Sequence, residues 1–276
     1  KNGIRLILKN GVQALIPTES YIEVQLSHGT LNTDLVLISV GVKPETFMAQ
    51  KAGISCNARG AILVDEHMRT SKPDIYAVGD AIAVTNFVTK QETYIPLAGP
   101  ANKQGRIAAD HICGRNVSFK GTQGTSVLKL FDMTVATTGI HELQAKQSNL
   151  DYDTIITYSP SHATYYPNAK NMMIKTIFEK QSGKILGAQL VGYEGVDKRC
   201  DVLATAIRAG MTAYDLTELE LAYAPPFSSA FIWAMATLSW AERRSAISIS
   251  KRSHPGSVCS FAFPSTNKIS SRLSNP

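Results

Sequence analysis

The chain has 276 residues, enough for one large domain or two medium ones with separate cores, and its hydrophobic fraction of 44% is ordinary for a soluble globular protein. Its longest apolar stretch, "AFIWAMATLSWA" from Ala230 to Ala241, falls short of the about 20 residues that cross a bilayer, so no membrane-spanning role is expected. The net charge of +6 is concentrated from Phe231 onward, where six basic residues face Glu242 alone; the first 230 residues carry only +1, poor ground for nucleic-acid binding by a folded body.

Cys56, Cys113, Cys200 and Cys259 lie far apart and form no CxxC pair. That excludes a zinc knuckle, a dithiol motif and a secreted disulfide framework, and the four read as ordinary thiols. The first twenty residues show no basic-then-apolar export pattern, and a reducing cytoplasm is the expected location.

The chain opens with strands and turns. "IRLIL" runs into Asn10-Gly11, a tight-turn pair, and then "VQALI". "YIEVQL" alternates faces, "SHG" turns, and "DLVLISV" is apolar enough for a buried central strand. "ETFMAQKAG" predicts a short helix ending at Gly53. "AILVDEHMRTS" predicts a strand pair leading to the strand "DIYAVGD". "PANKQGRIAADHIC" then takes helical spacing, with Pro100 at its start and Ala101, Ile107, Ala108 and Ile112 near one face.

A second unit begins near Thr122. "SVLKLFDMTVATTGI" and "TIITYSPSHATYYP" read as strands, and "MMIKTIFEKQSGKILGAQLVG" as a hairpin turning at Gln181-Ser182-Gly183. "VDKRCDVLATAIRAGM" is an amphipathic helix with Val202, Leu203, Ala206 and Ile207 on its apolar side, and "AYDLTELEL" a shorter one. An α+β unit thus follows an α/β one, so two kinds of domain are expected. From Phe231 the texture changes: Ser fills 11 of the last 46 positions and no period survives past Trp240, so residues 241–276 read as poorly packed.

"DIYAVGD" is the stretch with the most chemistry. Gly79 lets the backbone approach a ligand with no Cβ in the way, and Asp80 falls at a strand's carboxyl end, where open α/β sheets bind ligands. A carboxylate there accepts hydrogen bonds from sugar-like hydroxyls, and a helix starting nearby offers its N-terminus to a phosphate. Taken alone, the pair is more commonly a strand-to-turn junction with no ligand.

Its surroundings carry more. Thr70, Ile75, Tyr76, Ala77, Gly79 and Asp80 resemble the second flavin-contacting motif of the FAD-dependent pyridine nucleotide–disulfide oxidoreductases. Upstream, "TDLVLISVGVKPET" resembles that family's crossover out of its NAD-binding domain; downstream, "PLAGPANKQGRIAADHICG" resembles the helix after the ribityl contact. The resemblance implies an α/β remnant of FAD- and NAD(P)-binding domains followed by an α+β dimerisation domain. Its boundaries fall at residues 1–45 (end of the NAD(P)-binding domain), 46–118 (returning part of the FAD-binding domain), 119–230 (dimerisation domain) and 231–276 (basic, Ser-rich tail). It implies FAD and NAD(P)H as cofactors, with Thr70, Tyr76, Ala77, Gly79, Asp80, Ala98 and Tyr223 at the FAD.

"SHATYYPNAKNMMIKTIFEKQSGKILGAQLVG" and "ELELAYAPPFSSA" resemble the dimerisation domain of the coenzyme A-disulfide reductase, NADH oxidase and NADH peroxidase branch. This implies a homodimer acting on a small-molecule disulfide, peroxide or oxygen. It also implies two catalytic tyrosines that reach the partner's active site, Tyr165 and Tyr223, with Tyr166 an alternative to Tyr165 and with Asn102 and Tyr165 toward substrate. A phenol suits that place, since its O–H bonds a thiolate or carbonyl while its ring packs on a cofactor. The glutathione and lipoamide reductase branch is disfavoured: it uses a His–Glu pair, and this chain offers only His254, in the tail, with no Glu after it. His28, His67, His111, His141 and His162 show no metal-ligand spacing and read as surface or turn residues.

Parts of the family pattern are missing. No Gly-x-Gly-x-x-Gly occurs, and none of the four cysteines sits at the early helix where the family keeps its redox thiol. Phe231 stands where the family carries a Lys that helps hold coenzyme A, and the tail beyond reads either as an altered frame or as a basic anchor. Two functional readings follow: a partial chain of a flavin-dependent NAD(P)H oxidoreductase, inactive in isolation, or a non-catalytic dimerisation or interaction module derived from the family.

Overall fold

The structure, a computed structural model, describes residues 3–228, so the whole 231–276 tail, with Phe231 and His254, lies outside the described residues. The chain divides into two compact units between Glu45 and Thr46.

The first unit is built on a three-stranded antiparallel sheet of β1 (Val12–Pro17), β2 (Ile22–Leu26) and β3 (Thr30–Thr33) in that order. Ser27, His28 and Gly29 make the turn between β2 and β3, as the sequence predicts. The Asn10-Gly11 pair does not close a hairpin. The Asn10 amide instead brackets the second turn, donating to His28 O (3.0 Å) and accepting from His28 N (2.8 Å).

Two other expectations fail in this unit. Ile4–Leu8 form no strand, and "DLVLISV" is neither strand nor buried; Leu6 is 75% exposed, Leu37 85% and Val40 91%. The cause is the same for both. A central strand needs hydrogen-bonding neighbours on both edges and cover on both faces, and no described strand pairs with either segment.

The second unit opens with α1 (Phe47–Lys51), which stops before Gly53 at φ +71°. Between residues 54 and 83 the chain is extended but joined by single bridges, Ile62 to Cys56 and to Ile82, and Arg69 to Tyr76. The strand pair expected at "AILVDEHMRTS" and the strand expected at "DIYAVGD" are thus reduced to bridges, and Gly79–Ala81 is a 3-10 turn. Each of these short segments finds one partner at one or two residues, too few to propagate a ladder. The strands β4 (Val84–Thr85) and β5 (Glu92–Thr93) form a two-residue pair, and α2 (Ala98–Ile112) packs Ala108 against Ile62, Met68, Ile82 and Val84.

The remainder is a five-stranded antiparallel sheet with order β6-β7-β10-β9-β8. Its strands are β6 (Ser126–Leu130), β7 (Met133–Gly139), β8 (Tyr152–Pro160), β9 (Asn171–Glu179) and β10 (Ile185–Gly192). The hairpin at residues 180–183 forms as predicted, with Gly183 at φ +76°. The sequence did not signal α3 (Glu142–Gln147), where His141 serves as N-cap by accepting from Gln144 N.

Helix α4 (Val196–Ala209) lays Val196, Cys200, Leu203, Ala206 and Ile207 onto Ala136, Ala188, Leu190, Met172 and Ile174, an α+β core with every one of these side chains buried. The stretch "AYDLTELEL" holds only a 3-10 turn, Asp215–Glu218. On the sheet face away from α4, register aligns Leu128, Val135, Val191, Met173 and Tyr158 into one apolar row across all five strands. Its outer members stay open, with Leu128 56% and Tyr158 65% exposed.

Candidate functional site

The Gly-Asp turn is set by α2. Gly79 sits at φ +75°, a left-handed conformation that favours glycine, and donates its N–H to Gln104 Oε1 (2.8 Å), a side chain 1% exposed on the buried face of α2. A Cβ at Gly79 would come within 3.7 Å of Ala101 Cβ, so backbone and helix are in close approach. Tyr94 holds the other side by donating its hydroxyl to Asp80 O (2.8 Å). Burial, with Asp80 nearby, pushes the Tyr94 pKa up and keeps that donor protonated. The Asp80 side chain is left exposed.

Helix α2 has no side-chain cap. Its N-cap is Leu97, and Ala98 and Gly99 are the exposed first residues, so their N–H groups lie at the positive end of a 15-residue helix. Beside this end lies a cleft of about 680 Å³ lined by Gly99, Pro100, Lys103, Gln123, Thr205 and Arg208, among others. An uncapped helix start, a turn without a Cβ and an exposed carboxylate fit one side of a flavin with its hydroxylated chain. The pyrophosphate half of such a site needs a glycine-rich loop, which these 276 residues lack.

The predicted cofactor residues do not all gather there. Ala98 and exposed Asn102 stand on the first turns of α2, the turn with Gly79 and Asp80 packs beside Ala101 of that helix, and Ala77 lies just before the turn. Tyr76 bonds His111 Nδ1 (2.8 Å) at the far end of the helix, roughly 15 Å along the axis from Ala101 at 1.5 Å per residue. Thr70 closes the 70–75 turn at that same end, its N–H donating to Ile75 O and its hydroxyl bonding the Lys72 backbone. His67 and His111 stack there with centroids 4.6 Å apart.

The two tyrosines do meet. Tyr165 and Tyr223, 58 residues apart in sequence, bring their hydroxyls to 3.4 Å, and both rings are open, 75% and 52% exposed. The hydrogen bond to Tyr223 holds the Tyr165 pKa above the ordinary phenol value, so Tyr165 keeps its proton. Tyr166 turns instead toward His162, edge to face at 6.1 Å.

His162 corrects its expected surface place: it is 5% exposed, bonded between Ser161 Oγ (3.0 Å) and Pro167 O (3.0 Å). Sequence reasoning also missed Gln104 and Arg199. Both stand on the buried stripes of their helices, and a polar residue at stripe spacing was the available signal. Among the described residues no group of three or more His, Cys, Asp or Glu gathers as for a metal ion, and no helix is long and apolar enough to cross a membrane.

Fold and site together fit the class of chains that shape one side of a flavin site, and sequence comparison names the family. Residues 1–105 match the pyridine nucleotide-disulphide oxidoreductase profile and residues 125–235 match the dimerisation domain of the same proteins. The chain belongs to the pyridine nucleotide-disulphide oxidoreductase family.

Among its relatives, the NAD(P)H sulfur oxidoreductase (CoA-dependent) of Pyrococcus furiosus is 35% identical over 200 residues, 72% of this chain and 45% of that protein. The coenzyme A disulfide reductase of Staphylococcus epidermidis is 37% identical over 208 residues, 75% of this chain and 47% of that protein. Reduced Bacillus anthracis CoADR-RHD superposes with a TM-score of 0.82 at 49% identity, covering 86% of this chain and 43% of that one. The chain spans about half the length of the curated relatives it matches.

Proposed function

We propose that this chain contributes the returning half of an FAD site and a tyrosine pair to a flavin-dependent NAD(P)H oxidoreductase of the coenzyme A-disulfide reductase and NADH oxidase kind. The observation that carries the reading is the meeting of Tyr165 and Tyr223, delivered by two separate loops to one open surface. FAD, when bound, would take a hydride from NAD(P)H and pass electrons toward a disulfide, peroxide or oxygen. The chain's own residues would bind and orient: Gly79 and Asp80 with Ala98 at the flavin's sugar-alcohol chain, Asn102 and Tyr165 toward substrate. Tyr165, protonated and exposed, would donate a hydrogen bond or proton to a departing thiolate or a carbonyl, and Tyr223 would hold it in place.

A homodimer fits this reading. The apolar row Leu128, Val135, Val191, Met173 and Tyr158 lies on the sheet face that α4 leaves open, and a second copy would cover it. A cytoplasmic setting fits the chemistry of a reductase.

Joined to the first half of the Bacillus anthracis relative, the chain should oxidise NAD(P)H, and Tyr165→Phe should slow turnover about a hundredfold. Unchanged turnover in that variant would discard the tyrosine assignment. Expressed alone with FAD, the chain should bind the flavin yet leave NADH unoxidised. The absence of any Gly-x-Gly-x-x-Gly favours a second reading, a dimerisation module without chemistry, and colourless dimeric protein is its signature.

A further inference from the structure

A buried cation bonds to both of the loops that carry the tyrosine pair. Arg199 is 3% exposed on α4, and burial pushes its pKa below the ordinary guanidinium value. No carboxylate bonds it among the described residues; Asp197 acts on it only through space. Its donors go to the N-cap of its own helix and to two other segments: Nη1 to Gly195 O (3.3 Å), and Nη2 to Ser161 O (2.8 Å) and Ser228 Oγ (3.2 Å). Ser161 begins the loop that carries Tyr165, and Ser228 lies five residues beyond Tyr223 on the same loop.

We propose that Arg199 is the positioning residue of the tyrosine pair, its buried guanidinium tying the two tyrosine loops together and setting the separation of their hydroxyls. Only its consequence for turnover rests on the function proposed above; the geometry stands without it.

Three features support the assignment. A buried charge is costly, so a site that needed one hydrogen bond would be served by a neutral donor; a planar fork of five donors suits a site that must reach two carbonyls and a hydroxyl at once. Next, Gly195 is at φ +69° and a Cβ there would run into Arg199 Nη1, so the helix start is shaped around the guanidinium.

Last, the loops are prepared to receive it. The Pro167 carbonyl requires His162 Nε2 to carry a proton, and in the neutral imidazole Nδ1 then accepts from Ser161 Oγ, which in turn accepts from Lys170 N (3.3 Å). Tyr165 therefore rides on a loop fastened at residues 161 and 167. Ala163 N then donates to Pro225 O (3.2 Å), joining this loop to the one that carries Tyr223.

The test uses the full chain with 13C-labelled tyrosine and follows ionisation of Tyr165 by NMR, with Tyr223→Phe as the reference for a lost partner. Arg199→Met should make Tyr165 ionise severalfold more readily, matching Tyr223→Phe, while amide protection in β9 and β10 stays as in the parent. Arg199→Lys should restore only part of the shift, since an ammonium lacks the planar fork that reaches both loops and the helix start.

An unchanged Tyr165 titration in folded Arg199→Met overturns the proposal. If that variant does not fold, Ser228→Ala removes one acceptor and should shift Tyr165 in the same direction; no shift there overturns it equally. A tyrosine pair that loosens in Arg199→Met while Tyr165→Phe leaves turnover intact would discard the proposed function and keep this inference.

Discussion

Replacing Gln104 with Leu tests whether α2 holds the Gly-Asp turn. The side chain is 1% exposed, and its Oε1 accepts the Gly79 N–H at 2.8 Å. Leu keeps the volume and the helix propensity but removes the acceptor, leaving the Gly79 N–H facing an apolar wall. Leaving a buried donor unmade costs about 1–3 kcal/mol, which corresponds to roughly a fivefold to 150-fold change in a local opening equilibrium. Hydrogen exchange at the Gly79 amide should accelerate by that factor. Amides in the middle of β9 and β10, which belong to a different core cluster, should exchange as before. Any flavin affinity of the chain should fall with it, because the turn that presents Asp80 loses its anchor. Unchanged Gly79 exchange in a folded variant would refute the argument, since it would mean that Tyr94 and the 3-10 turn alone fix the Gly-Asp geometry.

Three further outcomes follow from the same structure. Leu203, fully buried where α4 meets the sheet, should cost about 2–5 kcal/mol on Leu203→Ala in urea unfolding, and a loss below 1 kcal/mol would contradict the packing described. Glu142 is held down to about 2, first by a hydrogen bond from Lys175 and then by Lys146 and Tyr152. Because the folded value lies below the unfolded one, its contribution is full above about pH 4.5 and is lost as pH falls toward 2. The stability gap between the parent and Glu142→Gln should therefore be present at neutral pH and close near the acid end, and a gap that persists there would discard the assignment. Burial, with help from Asp201 and Asp197, pushes the Cys200 thiol up to about 11, so an alkylating reagent near pH 8 should modify exposed Cys113 long before Cys200.

How much of this was legible follows from where each element finds its partners. The β9–β10 hairpin and α4 were readable because their signals are local: a turn with glycine between two β-rich runs, and an apolar stripe at helical spacing. Ile4–Leu8 and "DLVLISV" misled because an apolar run states only that a segment wants cover. Whether the cover exists depends on neighbours elsewhere in space, and none of the described strands supplies it. The same limit reduced "DIYAVGD" to a bridge and a 3-10 turn. Thr70 and Tyr76, adjacent to Gly79 in a linear motif, ended at the other end of α2 because an extended segment carries residues away from the turn at about 3.3 Å per residue.

The polar residues that organise the site were hidden in plain view on apolar stripes. Ala101, Gln104 and Ala108 share one face of α2; Val196, Arg199, Cys200 and Leu203 share one face of α4. A residue that cannot be buried without partners, at a position the helix must bury, has to find those partners in whatever packs against it. In α2 that partner is the Gly79 backbone, and in α4 it is two loops bearing tyrosines. The rule runs from sequence to site without passing through any motif. A glutamine or arginine on the stripe marks the helix that fixes a loop, and the loop it fixes is where the exposed chemistry stands.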